Sequence, residues 1–324
     1  MECMYYEKME GCRVRCLLCP HKCVIEDGNI GICRVRKNEN GSLISLNYRK
    51  ITSYAYDPIE KKPLYHFYPG SNILSIGSFG CNLACDYCQN WEIAHEESLS
   101  MAIEDEDVIL LGKSRGSIGI AYTYNEPTIS FEYVYHMAKL ARRNGLKNVL
   151  VTNGYINEEP LKQLLPHIDA MNIDLKSIKD DFYKKVCRGK LEPVLNTIQL
   201  AASKTHVEIT NLIVEGLNSS DEEIEELAQW IKSIDKSIPI HLTKYFPAYK
   251  MKLPETTYDA LIRAKEIARK HLDYVYIGNV WGIDNNTYCP NCHNLIVGRY
   301  DKGELRGLED GKCLKCGNRI NIIY

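Results

Sequence analysis

Between Asn72 and Tyr245 the chain repeats one pattern: a short run rich in Val and Ile, an amphipathic stretch, then another run. The runs are Asn72–Gly80, Gly119–Tyr124, Lys147–Gly154, Ala170–Lys176, His206–Val214 and Ile238–Tyr245. Their length and β-branched content predict buried strands. Between them, Phe131, Val134, Ala138 and Ala141 share one helical face. Ile224, Leu227, Ile231 and Ile234 share another, and Leu261, Ala264, Ala268 and Leu272 a third. Ser220-Asp-Glu-Glu223 has the spacing of a capping box. Strands that each return through a helix pair in parallel, with right-handed crossovers. The expected fold class is therefore α/β: a doubly wound sheet or a barrel, complete or partial. In such a barrel the site gathers at the C-terminal strand ends. Cys81 follows the first run, Asn125 and Glu126 the second, and Asn153 the third, while Asp174 and Lys176 close the fourth. Packing does not explain polar residues at four successive strand ends.

Fourteen cysteines are many for 324 residues. All but Cys187 fall in three groups, Cys3 to Cys33, Cys81 to Cys88 and Cys289 to Cys316. Clustered CxxC spacings in a large chain predict metal ligands and not disulfides. Cys81, Cys85 and Cys88 are spaced CxxxCxxC, and so are Cys12, Cys16 and Cys19. Three thiolates can hold three irons of a cubane cluster and leave the fourth iron open. Spacing alone equally allows zinc or a complete cluster with a further ligand from elsewhere. The first triplet has Leu18 where the second has Tyr87, and no clear strand precedes it. Its neighbours favour a different grouping, Cys16, Cys19, Cys23 and Cys33, with Cys12 incidental. Four thiolates make a closed site, for zinc or for an auxiliary cluster. His21 either substitutes for one of them or is a solvated loop residue. Asn40-Gly41 between apolar runs marks a hairpin beside this site. Cys289, Cys292, Cys313 and Cys316 form two CxxC pairs with the spacing of a zinc ribbon. Leu295–Val297 and Asp301–Glu304 would supply its strand and turn. Zinc is the expected metal there, with rubredoxin-like iron or an auxiliary cluster as alternatives, and the module's place beside the barrel end suits a lid or a docking surface. Cys187 reads as a buried thiol.

The Cys81 triplet follows a strand, is preceded by Gly80, and carries an aromatic residue before its last cysteine. It resembles the defining CxxxCxΦC motif of the radical S-adenosylmethionine (SAM) superfamily. Ser78-Phe-Gly-Cys-Asn-Leu-Ala-Cys-Asp-Tyr-Cys-Gln-Asn-Trp-Glu-Ile93, Lys62-Pro-Leu-Tyr-His-Phe-Tyr-Pro-Gly70 and Tyr124-Asn-Glu-Pro-Thr128 look like the AmmeMemoRadiSam-system radical SAM enzyme family. Val151-Thr-Asn-Gly154, Asn172-Ile-Asp-Leu-Lys176 and Val207–Val214 are similar to that family and to its relatives, the glycyl-radical-enzyme activases such as those of pyruvate formate-lyase. The likeness covers residues 12–282 and includes the Cys16 quartet. It implies a partial (β/α)6 TIM-like radical SAM barrel at 71–282. An N-terminal Cys-rich module at 1–70 and a zinc-ribbon-like module at 283–324 would flank it.

The resemblance also implies roles. Cys81, Cys85 and Cys88 would hold a [4Fe-4S] cluster whose open iron takes the amino and carboxylate groups of SAM. An electron from the cluster would cleave SAM to a 5′-deoxyadenosyl radical, which abstracts hydrogen from substrate. Tyr87 would lie beside the adenine. Glu126 matches the acidic residue of the superfamily's Gly-Gly-Glu, but Asn125 replaces the second glycine. The bland alternative for Glu126 is to favour the helix start after Pro127. Asp174 and Lys176 would meet ribose or carboxylate, or be solvated loop charges. Asn153 would be a SAM contact or a turn residue. His241 would reach the ribose or serve the strand. Val151 stands where the activases have Asp. A reductant such as ferredoxin or flavodoxin is implied, as is association with Memo-like and AMMECR-like proteins.

A hydrophobic content of 45% supports a sizeable core, and a net charge of −2 exerts no pull on nucleic acid or anionic lipid. No apolar run reaches membrane-spanning length, so the cytoplasm is expected. The leading expectation is a radical SAM enzyme of unidentified substrate. A glycyl-radical activase is the alternative, and a non-catalytic metal-bound scaffold or nucleic-acid-binding module is a third.

Overall fold

The computed structural model describes residues 1–96, 98–299 and 303–324. Asp301 and Lys302, expected in the C-terminal turn, lie outside the described residues. One eight-stranded sheet organises the chain. Its strands are β1 (Ser53–Pro58), β2 (Asn72–Gly77), β3 (Ser117–Tyr122), β4 (Lys147–Thr152), β5 (Ala170–Asp174), β6 (His206–Ile213), β7 (Ile240–Lys244) and β8 (Val275–Gly278). Sheet order follows chain order from β1 to β8, and these two form its edges. β1 pairs antiparallel with β2, and every later pair is parallel.

The six runs expected from sequence are β2 to β7. The structure adds β8 and β1. Proline in a strand suits an edge, where Pro58 lies. Because β1 belongs to the central sheet, that sheet begins inside the segment expected to form a separate N-terminal module.

Among the described residues, six helices longer than five residues alternate with the parallel strands: α1 (Asp105–Gly112), α2 (Phe131–Arg143), α3 (Glu158–Leu164), α4 (Glu192–Ala202), α5 (Asp221–Asp235) and α6 (Tyr258–Ala268). The expected apolar faces turn inward. Phe131, Val134, Ala138 and Ala141 are buried, as are Ile224, Leu227, Ile231, Leu261, Ala264 and Ala268. Ser220 caps α5 by accepting the Glu223 amide at 3.2 Å. The reciprocal half of the box is not made, because Glu223 takes the Ser177 hydroxyl instead.

At the N-terminal end, Arg36–Glu39 and Ser42–Ser45 pair across Asn40 and Gly41, whose φ values of +53° and +78° suit a tight hairpin turn. The segment is welded to the sheet's helices. Arg36 and Glu132 form an ion pair at 2.7 Å with both side chains 1% exposed, and the Met4 amide donates to the same carboxylate. Cys16, Leu18 and Leu43 share one continuous core with β2 to β8.

The C-terminal module packs at the other end of the sheet from the strands' C-termini. The Ile323 amide donates to the His66 carbonyl, and the Tyr68 amide to the Ile323 carbonyl. Tyr274 and Tyr276, at the start of β8, pack on Cys289, Ile296 and Val297. Glu208 lies beneath the Tyr65–His66 segment on which the module docks. Its carboxylate accepts from the amides of Tyr65 and His66 and from His206 and His241. The module therefore does not lie where a lid over the C-terminal strand ends would be.

Candidate active site

The loop after β2 turns at Gly80, with φ of +87°. A Cβ there would sit 2.5 Å from the Cys33 carbonyl oxygen, so only glycine fits. The Asn125 carboxamide staples this loop, accepting from the Ser78 amide and donating to the Gly80 carbonyl. Further along, the amides of Ala84 and Asp86 donate to the carbonyls of Cys187 and Val186. Cys81, Cys85 and Cys88 are thus presented at the head of a cleft of about 270 Å³.

The cleft lies at the C-terminal ends of β3 to β7. Tyr87, Asn125, Glu126, Asn153, Asp174 and Lys176 all line it. Asp174 and Lys176 form an ion pair at 2.9 Å. Burial opposes the lysine charge, but Asp174 and Cys85 hold its pKa well above the usual value. The Asn153 side chain donates to Asn82 Oδ1 at 2.9 Å and to Cys81 Sγ at 3.6 Å, and accepts the Tyr155 amide at 2.8 Å. It is at once a turn residue and a neighbour of the Cys81 thiol.

Glu126 is more occupied than the sequence implies. Oε1 accepts from the amide and hydroxyl of Thr128 and from the Thr152 hydroxyl, and Oε2 accepts the Asn153 amide. Burial pushes the carboxyl up, while these hydrogen bonds favour the anion. The side chain caps the turn after Pro127, the bland alternative, with three bonds on Oε1 and one on Oε2.

His241 is a correction. It does not line the cleft. It is buried, with Nε2 2.7 Å from Glu208 Oε2 and its ring against Tyr65. It is the second residue of β7, whereas Thr243, two further on, reaches the cleft. Thr210 and Leu212 line it by the same alternation on β6. Cys187 is the buried thiol the sequence suggests. Its sulfur lies 3.7 Å from Tyr87 Oη, and its hydrogen bond lowers the Cys85 pKa. It does not line the cleft, so the cleft side of the triplet stays open.

The other cysteines fall into two sites. Cys16, Cys19, Cys23 and Cys33 line one small void, with His21 at its wall donating to the Asn82 carbonyl at 2.7 Å. Cys12 is exposed and apart from it. Cys289, Cys292, Cys313 and Cys316 place their sulfurs within 4.8 Å of one another, a donor set that fits one ion.

Three thiolates opening on a cleft at the C-terminal ends of a parallel sheet define a radical SAM protein. The radical SAM superfamily model matches residues 75–231. The chain is 42% identical over 333 residues to an uncharacterized protein of Methanocaldococcus jannaschii, covering 99% of each. It is 30% identical over 175 residues to the pyruvate formate-lyase-activating enzyme of Clostridium pasteurianum, covering 51% of this chain and 72% of that one. A radical SAM methyltransferase from Sphaerobacter thermophilus shares the fold, with a TM-score of 0.53 at 16% identity over 69% of this chain and 71% of that one. The chain belongs to the radical SAM superfamily and is an enzyme, with homology to pyruvate formate-lyase-activating enzymes. Among the described residues no helix is long and apolar enough to cross a membrane.

Proposed function

We propose that this enzyme cleaves SAM reductively in the cleft below Cys81, Cys85 and Cys88 and uses the resulting radical to abstract hydrogen from a substrate still to be identified. The observation that carries the reading is the convergence of these three thiols with Asp174 and Lys176 on one cleft. Cys81, Cys85 and Cys88 would hold a [4Fe-4S] cluster, which would supply the electron for reductive cleavage of SAM.

The chain's own residues bind and shield. Lys176 offers a fixed positive charge to a carboxylate, and Asp174 offers an acceptor to hydroxyl or ammonium groups. Thr210 and Thr243 add hydroxyls on the next two strands. Leu83, Val151 and Leu212 make the walls apolar, which excludes water from a reactive radical. Tyr87 lines the cleft beside the triplet and would offer its ring to an adenine. Glu126 acts through its hydrogen bonds to Thr152 and Asn153, holding the end of β4 in place.

The reading extends to a partial (β/α)6 barrel, a zinc ribbon at the C-terminus, a low-potential donor such as ferredoxin or flavodoxin, and a Memo/AMMECR-associated system. The sequence resemblance supports the last of these. Glycyl-radical activation is the second reading, favoured by the similarity to the Clostridium pasteurianum activating enzyme. The cleft reading is tested by EPR of the reduced enzyme with and without SAM. Addition of SAM is expected to change the cluster signal in wild type and, at the same SAM concentration, to leave it unchanged in Lys176→Met. A signal indifferent to SAM in wild type would refute it.

A further inference from the structure

The two cysteine quartets offer the same ligands in different geometries. In the C-terminal quartet, Cys289–Cys316 and Cys292–Cys313 stand at 3.6 Å. With Zn–S near 2.3 Å, tetrahedral sulfurs lie about 3.8 Å apart, so this set is already drawn onto one ion. In the N-terminal quartet, Cys16, Cys19, Cys23 and Cys33 instead line a void of about 10 Å³, with Leu18, Ile25 and Ile129 in its wall. Sulfurs gathered on a single ion leave no such space between them. Among the described residues, the C-terminal quartet alone brings three or more His, Cys, Asp or Glu ligand atoms close enough to share one ion. The Cys81, Cys85, Cys88 triplet, which holds a cubane in this superfamily, shares the wider spacing.

A second observation concerns Arg36, which lines the same void. Its terminal nitrogens are spent on Glu132 and the Ile129 carbonyl. Its Nε is buried and has no partner among the described residues. An unpaired buried N–H is costly and calls for an acceptor. A zinc ion brings none of its own, whereas a cubane brings inorganic sulfides.

We propose that Cys16, Cys19, Cys23 and Cys33 ligate a second, complete [4Fe-4S] cluster, with Arg36 Nε directed to it, and that zinc is confined to the C-terminal quartet. The inference uses the radical SAM reading only for its comparison with the Cys81 triplet. The second cluster would lie next to the first: Asn82 lines its void and directly follows Cys81, and Gly80 abuts the Cys33 carbonyl.

The test is metal and sulfide analysis of the full chain, purified without oxygen, as wild type and with Cys81, Cys85 and Cys88 all changed to Ala. The triple variant is expected to keep about four iron, about four sulfide and about one zinc per chain. Its reduced EPR signal should ignore SAM. About two zinc and no iron in that variant would overturn the proposal. Should it fail to fold, Cys19→Ser with Cys23→Ser decides. Loss of about four of eight iron with zinc constant supports the cluster. Loss of about one zinc with iron constant overturns it. Failure of the catalytic reading would show separately, as a wild-type signal indifferent to SAM.

Discussion

Asn153 Nδ2 stands 3.6 Å from Cys81 Sγ while its own Oδ1 accepts the Tyr155 amide. One side chain therefore shapes the turn after β4 and touches the first thiol of the proposed cluster site. A hydrogen bond to a ligand sulfur favours the more negative, reduced cluster. Asn153→Asp keeps the turn acceptor but replaces the donor with an oxygen. The catalytic cluster's potential is expected to fall by at least roughly 40 mV, the one-electron equivalent of about 1 kcal/mol of hydrogen bond. Potentiometric EPR reads the shift. An unchanged potential in a folded variant would mean that the contact does not tune the cluster.

The Arg36–Glu132 pair joins the N-terminal hairpin to α2 in the dry core. Removing one partner strands the other charge. Glu132→Ala is expected to cost about 3–5 kcal/mol in denaturant unfolding, and combining it with Arg36→Met should recover much of that loss. A cost below about 1 kcal/mol for the single change would show that water reaches the pair.

His66 provides an acid-sensitive joint. Its Nδ1 lies 2.6 Å from the Asn321 carbonyl, which only accepts, so Nδ1 carries the proton. Nε2 then accepts from Tyr276. Burial lowers the His66 pKa from 6.5 to about 3. Above pH 6.5 the neutral ring costs nothing. As pH falls from 6.5 to about 3 the unfolded chain gains a proton that the folded one refuses, and stability drops by about 1.4 kcal/mol per unit from this group. His66→Gln should flatten the wild-type stability profile in that window. Equal slopes in both proteins would contradict the assignment.

The C-terminal module has a small apolar cluster centred on Cys289, Ile296 and Val297. Metal holds such modules folded. Chelation is expected to open residues 283–324 to protease while the sheet stays resistant. Resistance of both would show that packing against Tyr274 and Tyr276 suffices without metal.

The strands were legible because each is a short apolar run with a helix after it, and β2 to β7 begin within two residues of where the runs do. β8 is only four residues long, and β1 pairs antiparallel outside the repeat, so neither announced itself. The cysteine groups were legible through local spacing. His241 was misplaced because a residue's position along a strand decides which end it serves, and two residues separate it from the cleft-lining Thr243. Glu208 escaped notice because its partners come from residues 65, 66, 206 and 241, and no local pattern joins them. The pattern located Glu126, but only the fold shows the bonds it makes to Thr128, Thr152 and Asn153.

The most direct measurement is chromatographic assay of 5′-deoxyadenosine from anaerobically reconstituted, reduced enzyme supplied with SAM. Wild type and Cys12→Ala are expected to form it, and Cys85→Ala is expected to form none. Product that survives Cys85→Ala, or its absence from fully loaded wild type, would contradict radical chemistry at the Cys81, Cys85, Cys88 triplet.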